Sequence, residues 1–161
     1  IQGEDRFFFL ASIIDVYDRS IIDYHIGLTC TAQEIAATLS QAKKLRMNEI
    51  HERLTLRTDN GPQFVSELFG KICQELDIEH ERIPCRTPNK NAHIESFHAI
   101  LERDCLARHI FRTYTEAYTV VTEFMTFYNE RRIHSSIGYR SPAAFRRAYW
   151  SNSERLKPIS A

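Results

Sequence analysis

The segment that most constrains this chain is Phe7 to Asp15, where aromatic and β-branched side chains run together. A second such segment, Ser20 to Ile26, follows after Tyr17-Asp18-Arg19. Side chains of this kind pack well on a pleated surface, and the Asp-containing triplet supplies turn chemistry, so the pair predicts a β-hairpin. The first segment is also the longest apolar run in the chain. It is broken by Ser12 and falls far short of the roughly 20 apolar residues that cross a bilayer, so no membrane span is expected.

Further elements follow from spacing. Thr31 is placed to cap a helix in which Ile35, Leu39 and Ala42 recur at helical intervals and Lys43, Lys44 and Arg46 meet the negative end of the dipole, with an end expected near Asn48. Leu54 to Thr58 reads as a short strand stopped by Asp59-Asn60-Gly61-Pro62. A second helix is expected to present Val65, Leu68, Phe69, Ile72, Cys73 and Leu76 as one apolar stripe. Glu79 to Pro84 suits a brief strand, and Arg86 to Asn91 a polar loop. Asn91 is a plausible cap for a long helix that buries Ile94, Phe97, Leu101 and Cys105 and carries Glu95 on another face. Thr115 to Asn129 predicts another amphipathic helix, and Ser141-Pro142 starts a last one, Ala143 to Trp150. The whole reads as one α/β domain over residues 1–161, hairpin first, with helices gathering toward the end.

Composition narrows the function classes. With 43% hydrophobic and 26% charged residues the chain is a soluble globular type. Twenty-one basic and twenty-one acidic side chains cancel, which argues against a wholesale polycation. The cancellation hides a gradient: residues 1–81 hold eight Lys or Arg against fourteen Asp or Glu, and residues 82–149 hold eleven against six. An anionic partner would prefer the later half. Cys30, Cys73, Cys85 and Cys105 include no C-x-x-C pair, so neither a zinc ribbon nor a disulfide framework is indicated; reduced thiols fit the cytosol. Ile1-Gln2-Gly3-Glu4-Asp5-Arg6 has no secretory-signal pattern and no start methionine, and an upstream segment is expected.

Two carboxylates stand at chemically useful places. Asp59 ends a strand and opens a Gly-containing turn, so its side chain projects beyond the sheet edge. Glu95 lies early in the long helix, 35 residues separating the two. A magnesium site for phosphoryl transfer needs two or three hard oxygen ligands from different elements, and a strand end plus a helix start can provide two. Each residue alone also has a structural role open to it, as a turn-forming Asp and as a Glu favoured by the helix dipole.

The surrounding motifs resemble those of a known family. Arg57-Thr58-Asp59-Asn60-Gly61-Pro62-Gln63-Phe64, followed by Thr87-Pro88-Asn89-Lys90-Asn91-Ala92-His93-Ile94-Glu95-Ser96-Phe97-His98, resembles the integrase core of insertion-sequence transposases and the wider retroviral-integrase superfamily. Ile13 to Arg19 is similar to that family's hairpin signature. Tyr128 to Tyr139 with Ser141-Pro142-Ala143-Ala144-Phe145 is similar to its carboxy-terminal one. The resemblance implies a ribonuclease H-like α/β fold with a mixed sheet of about five strands flanked by helices. It also implies an Asp-Asp-Glu triad holding two magnesium or manganese ions, with Asp59 as the second and Glu95 as the third carboxylate. The first is expected upstream of residue 1, with Asp5 and Asp15 as poor substitutes, so that this stretch would lack its first strand and any separate DNA-binding domain.

The implied activity is metal-dependent cleavage and strand transfer at mobile-element ends by a cytoplasmic, nucleoid-associated bacterial transposase acting as a homo-oligomer on element and target DNA. Arg86, Asn89, Lys90, Asn91 and His98 beside Glu95, and Arg131, Arg132 and His134 after the fourth helix, are the expected phosphate contacts. A ribonuclease H-like nuclease that does not join strands, and a non-catalytic remnant of a decayed element, remain as alternatives.

Overall fold

A computed structural model describes residues 7–46, 53–84 and 91–151. The hairpin forms as expected, from β1 (Phe9–Ile14) and β2 (Ile21–Gly27), paired antiparallel with a register irregularity between Ile13 and Ile14. Its turn is closed from both sides: Asp15 N–H donates to the Ser20 carbonyl and Arg19 N–H to the Asp15 carbonyl. Arg19 takes a left-handed backbone (φ 66°), a conformation costly for a residue with a Cβ and held here by the surrounding bonds.

Helix α1 (Ala32–Arg46) starts at a reciprocal cap. Glu34 Oε2 accepts the Thr31 N–H at 2.7 Å, and Thr31 Oγ1 accepts the Glu34 N–H at 3.3 Å. These bonds and the Thr29 hydroxyl hold the Glu34 carboxyl down at about 2. Strand β3 (Leu54–Thr58) passes through α2 (Glu67–Glu75) to β4 (Ile78–Arg82), which pairs with it in parallel from Leu54↔Ile78 to Thr58↔Arg82. The long helix α3 (Ala92–Asp104), helix α4 (Tyr114–Glu130) and helix α5 (Pro142–Trp150) complete the order.

Three local expectations are corrected. Asn91 occupies the cap position of α3 but its side chain makes no capping bond. Helix α4 begins one residue earlier than expected because Thr113 caps it, its hydroxyl accepting the Glu116 N–H. In α2 only Phe69 and Cys73 are buried, while Leu68, and Val65 ahead of the helix, are exposed, so the apolar stripe is narrower than its spacing implied. Asn48, the expected end of α1, lies outside the described residues.

The sheet also differs from the expected five strands. Among the described residues there are four, in two separate two-stranded sheets, β1-β2 and β3-β4. Two buried clusters lie on either side. Ile21 and Ile26 of the hairpin pack with Phe97 and Leu101 of α3 and Val121, Phe124, Met125 and Tyr128 of α4. Ile35, Ala36 and Leu39 of α1 pack with Phe69 and Cys73 of α2 and Ile78 of β4. Strand β1 belongs to both: Leu10 and Ile14 join the first cluster, Ala11 and Ile13 the second.

Polar bonds tie the hairpin to the helices. Asn129 of α4 accepts the Ile21 N–H and donates to the Ile21 carbonyl, both at 2.9 Å. Arg46, at the end of α1, reaches Asp18 at 3.0 Å and Asp15 at 3.5 Å and bonds the Ser20 hydroxyl. Asp18 and Arg46 are both almost wholly buried. Removing one member of a buried ion pair strands the other, so Arg46→Met is expected to cost about 3–5 kcal/mol. A urea denaturation midpoint unchanged from the parent chain would refute the linkage.

Candidate active site

Asp59 follows directly on the last residue of β3, and its turn is held from three directions. Its Oδ1 accepts the Gly61 N–H at 2.8 Å, the Asn60 amide donates to the Ile83 carbonyl at 2.7 Å, and Ile83 N–H donates to the Thr58 carbonyl at 2.9 Å. The Thr58 hydroxyl lies 2.8 Å from a ring nitrogen of His80 on the neighbouring strand. The parallel pair thus fixes where the chain leaves the sheet, and the carboxylate stands exposed beyond it.

A cavity of about 490 Å³ begins at Asp59 and runs between β1 and β3. Its far wall includes Asn91, His93, Ile94 and His98 from the start of α3. Glu95, exposed in the first turn of α3, sits among these residues, so the structure brings the helix turn that carries it to the cavity that Asp59 edges. Of the residues singled out in sequence, Asp59, Asn91 and His98 line this cavity. Partial desolvation pushes the His98 ring below its ordinary value, opposed by the nearby Glu95 charge. Arg86, Asn89 and Lys90 lie outside the described residues.

Two residues that the sequence reading left unassigned secure this region. Arg19, at the hairpin turn, places a guanidinium nitrogen 2.8 Å from the His93 ring in the first turn of α3. Desolvation and the charges of Arg19 and Arg57 lower the His93 pKa, which favours the neutral ring as acceptor. The hairpin turn therefore grips the helix end that bears Glu95. The signal was present in the Asp18-Arg19 pair, but read as turn chemistry alone it gave no partner. Asp15 and Asp18, the other carboxylates nearby in sequence, are engaged with Arg46.

Arg131, Arg132 and His134 lie outside the cavity. Arg131 is exposed at the end of α4, and Arg132 donates to the Ile133 carbonyl. His134 packs edge-on against Tyr128 at 5.0 Å between ring centroids. Its Nε2 is buried, and desolvation, then the charges of Arg132 and Arg19, lower it to about 4. Burial pushes the Tyr128 phenol up to about 12. Both rings are thus uncharged near neutrality. His109 bonds the Cys105 carbonyl at 2.8 Å and stacks on Phe111.

The donor chemistry of Asp59 and Glu95 fits a hard divalent cation in kind. In number it falls short: among the described residues no three His, Cys, Asp or Glu side chains come together closely enough to hold a metal ion. No described helix is long and apolar enough to cross a membrane.

Residues 1–88 match one integrase core domain profile and residues 76–142 a second. The chain is 33% identical over 138 residues to a 39.2 kDa protein of insertion element IS476 from Xanthomonas euvesicatoria, covering 86% of this chain and 39% of that protein. It is 27% identical over 148 residues to the transposase for insertion sequence element IS904 from Lactococcus lactis, covering 90% and 57%. It spans about half the length of the relatives it matches. Among solved structures, the HTLV-2 integrase catalytic core domain in complex with magnesium superposes with a TM-score of 0.62 at 17% identity, over 84% of this chain and 82% of that one. A simian T-cell lymphotropic virus intasome superposes at 0.71 and 18%, over 98% and 53%. The fold is that of the retroviral integrase catalytic cores, ribonuclease H-like.

The His134 environment gives a signed pH dependence. Between its folded value of about 4 and its ordinary 6.5, the unfolded chain binds more protons at this ring. The stability contributed by the neutral ring is therefore complete above 6.5 and is lost as pH falls toward 4. His134→Asn should show a shallower loss of stability across that window, measured by urea unfolding at a series of pH values; an unaltered slope would show that the ring does not titrate as described.

Proposed function

Since the chain belongs to the integrase core domain family, we propose that it is the catalytic core of an insertion-sequence transposase, a polynucleotidyl transferase acting on DNA at the ends of a mobile element. The observation that carries this reading is the meeting of Asp59, at the end of β3, with the Glu95-bearing first turn of α3 around one cavity. Strand cleavage and strand transfer both displace an oxygen at a phosphate, so one arrangement of carboxylates can serve both.

In this reading Asp59 and Glu95 are ligands to magnesium or manganese, two ions in the complete site. Bound metal supplies charge neutralisation at the phosphate and a more acidic water or 3′ hydroxyl. The protein's own part is positional. The Asn60 and Gly61 bonds keep the Asp59 turn from swinging, and the Arg19–His93 contact holds the helix turn of Glu95. Asn91 and His98 line the same wall and would meet the DNA backbone, together with Arg86, Asn89 and Lys90 of the preceding segment. Arg131 offers an exposed cation beyond the site, with Arg132 and the ring of His134 beside it.

The partners proposed are element-end and target DNA and further copies of the chain, in the bacterial cytoplasm. The similar simian T-cell lymphotropic virus intasome and the dimeric and trimeric forms of the similar HTLV-2 integrase core support assembly as the working arrangement.

In the complete protein, Asp59→Asn and Glu95→Gln are each expected to lower cleavage and joining of labelled element-end DNA by about a thousand-fold or more, roughly 4 kcal/mol of transition-state stabilisation. Circular dichroism and DNA binding should be retained. Full joining activity in either variant would end the assignment, and cleavage without joining by the parent protein would favour a nuclease.

A further inference from the structure

We infer that helix α5 and the hairpin turn together form a stacking platform for unpaired DNA bases, a surface that takes single-stranded DNA beside the candidate active site. Tyr17, at the hairpin turn, meets Phe145 and Tyr149 of α5, each at 5.5 Å between ring centroids, and Tyr149 meets Trp150 at 5.3 Å. The four rings make one continuous aromatic row across two elements far apart in sequence. Only Phe145 is buried; Tyr17 is 46% and Trp150 40% exposed, with Tyr149 half-buried between them. Phe145 is thus the floor of the row, and the other three rings keep aromatic surface in solvent.

Helical spacing places cations along the same row. Phe145 and Tyr149, and Arg146 and Trp150, are each four residues apart, so an aromatic stripe and a cation-bearing stripe run side by side on α5. Arg146, Arg147 and Trp150 also line a cavity of about 620 Å³, whose apolar wall includes Ile22, Leu45 and Pro142. Among the described residues Glu130 is the one acid lining it, and it lies 3.5 Å from Arg147. The segment from 131 to 149 holds five arginines and no Asp or Glu. Aromatic rings interleaved with guanidinium groups are complementary to a strand that offers base faces and phosphates together.

The rings also specify the form of the DNA. A duplex keeps its base faces stacked inward, so rings of this kind gain contact only from unpaired bases. The platform begins next to the site: Val16, the neighbour of Tyr17, lines the cavity that Asp59 edges. A strand cut there has a free end, whose bases leave the stack at the least cost. That the ligand is DNA rests on the transposase reading; that its bases are unpaired rests on the rings.

Trp150 is the only tryptophan in the chain, so its emission reports on the platform directly. The chain is titrated with a twelve-nucleotide oligothymidylate, an abasic strand of the same length and charge, and a closed hairpin duplex with the same number of phosphates, following Trp150 emission and strand anisotropy together. Oligothymidylate is expected to change Trp150 emission and to bind more tightly than either comparison ligand by about ten-fold or more. Tyr149→Leu should remove about ten-fold of that affinity without weakening the abasic strand, while Tyr149→Phe, which keeps the ring, should retain it. The comparison of strands on the parent chain needs no variant, so a Tyr149→Leu chain that fails to fold leaves the test decisive. Equal binding of the base-bearing and abasic strands overturns the inference, because phosphates alone would then account for it. Tighter binding of the duplex, oligothymidylate binding with unchanged Trp150 emission, or no binding overturns it as well. A twelve-residue polyglutamate that changes Trp150 emission equally would show recognition of acids instead and has the same consequence. The readout uses neither Asp59, Glu95 nor metal. Base-dependent binding by a protein that joins no DNA would therefore sink the transposase reading alone, and joining without base-dependent binding would sink the platform alone.

Discussion

Strand β1 is half-buried and packs on both faces, and the architecture follows from that constraint. In a strand, neighbouring side chains point to opposite sides, so a run that is apolar at successive positions must be covered twice. Leu10 and Ile14 draw α3 and α4 onto one face, while Ala11 and Ile13 draw α1 and α2 onto the other. A one-residue slip in the β1–β2 register would exchange the two sets and mismatch both clusters, so the register is set by packing as well as by the turn.

The hairpin turn is the second organising point, because three helices are tied to it by polar contacts. Asp15, Asp18 and Ser20 hold Arg46 at the end of α1, Arg19 reaches His93 at the start of α3, and Ile21 exchanges two hydrogen bonds with Asn129 near the end of α4. Asp15 shows the cost of gathering acids in this way: burial and the neighbouring Asp18 raise its pKa, with Arg46 pulling it back. A turn gripped so firmly can hold Arg19 in a left-handed conformation, and through His93 it passes that rigidity to the helix turn bearing Glu95.

Charge in the later half of the chain serves the fold as well as any partner. Asp104 sits against both Arg103 and Arg108, and Glu130 against Arg147. Arg132 turns toward a backbone carbonyl. Such exposed pairs add little stability each and leave the excess of basic residues over 82–149 unchanged in number.

Much of the local structure was legible in the residues themselves. Thr31 and Glu34, Ser141 and Pro142, and the Asp59-Asn60-Gly61 turn act through bonds only two or three residues long, so their meaning survives without a fold. The same holds for the resemblance around Asp59 and Glu95, which is carried by short motifs in order. Tertiary structure decided the rest. That Val65 and Leu68 stay exposed, that His134 is an uncharged ring against Tyr128, and that Arg19 belongs to His93 depend on what packs against each side chain. The division into two sheets depends on edges formed by residues more than forty positions apart, as Leu10 is from Leu54. Periodicity and capping are written in neighbouring residues; edge pairing and desolvation arise only when distant segments meet, and it is those two that shape the cavity beside Asp59.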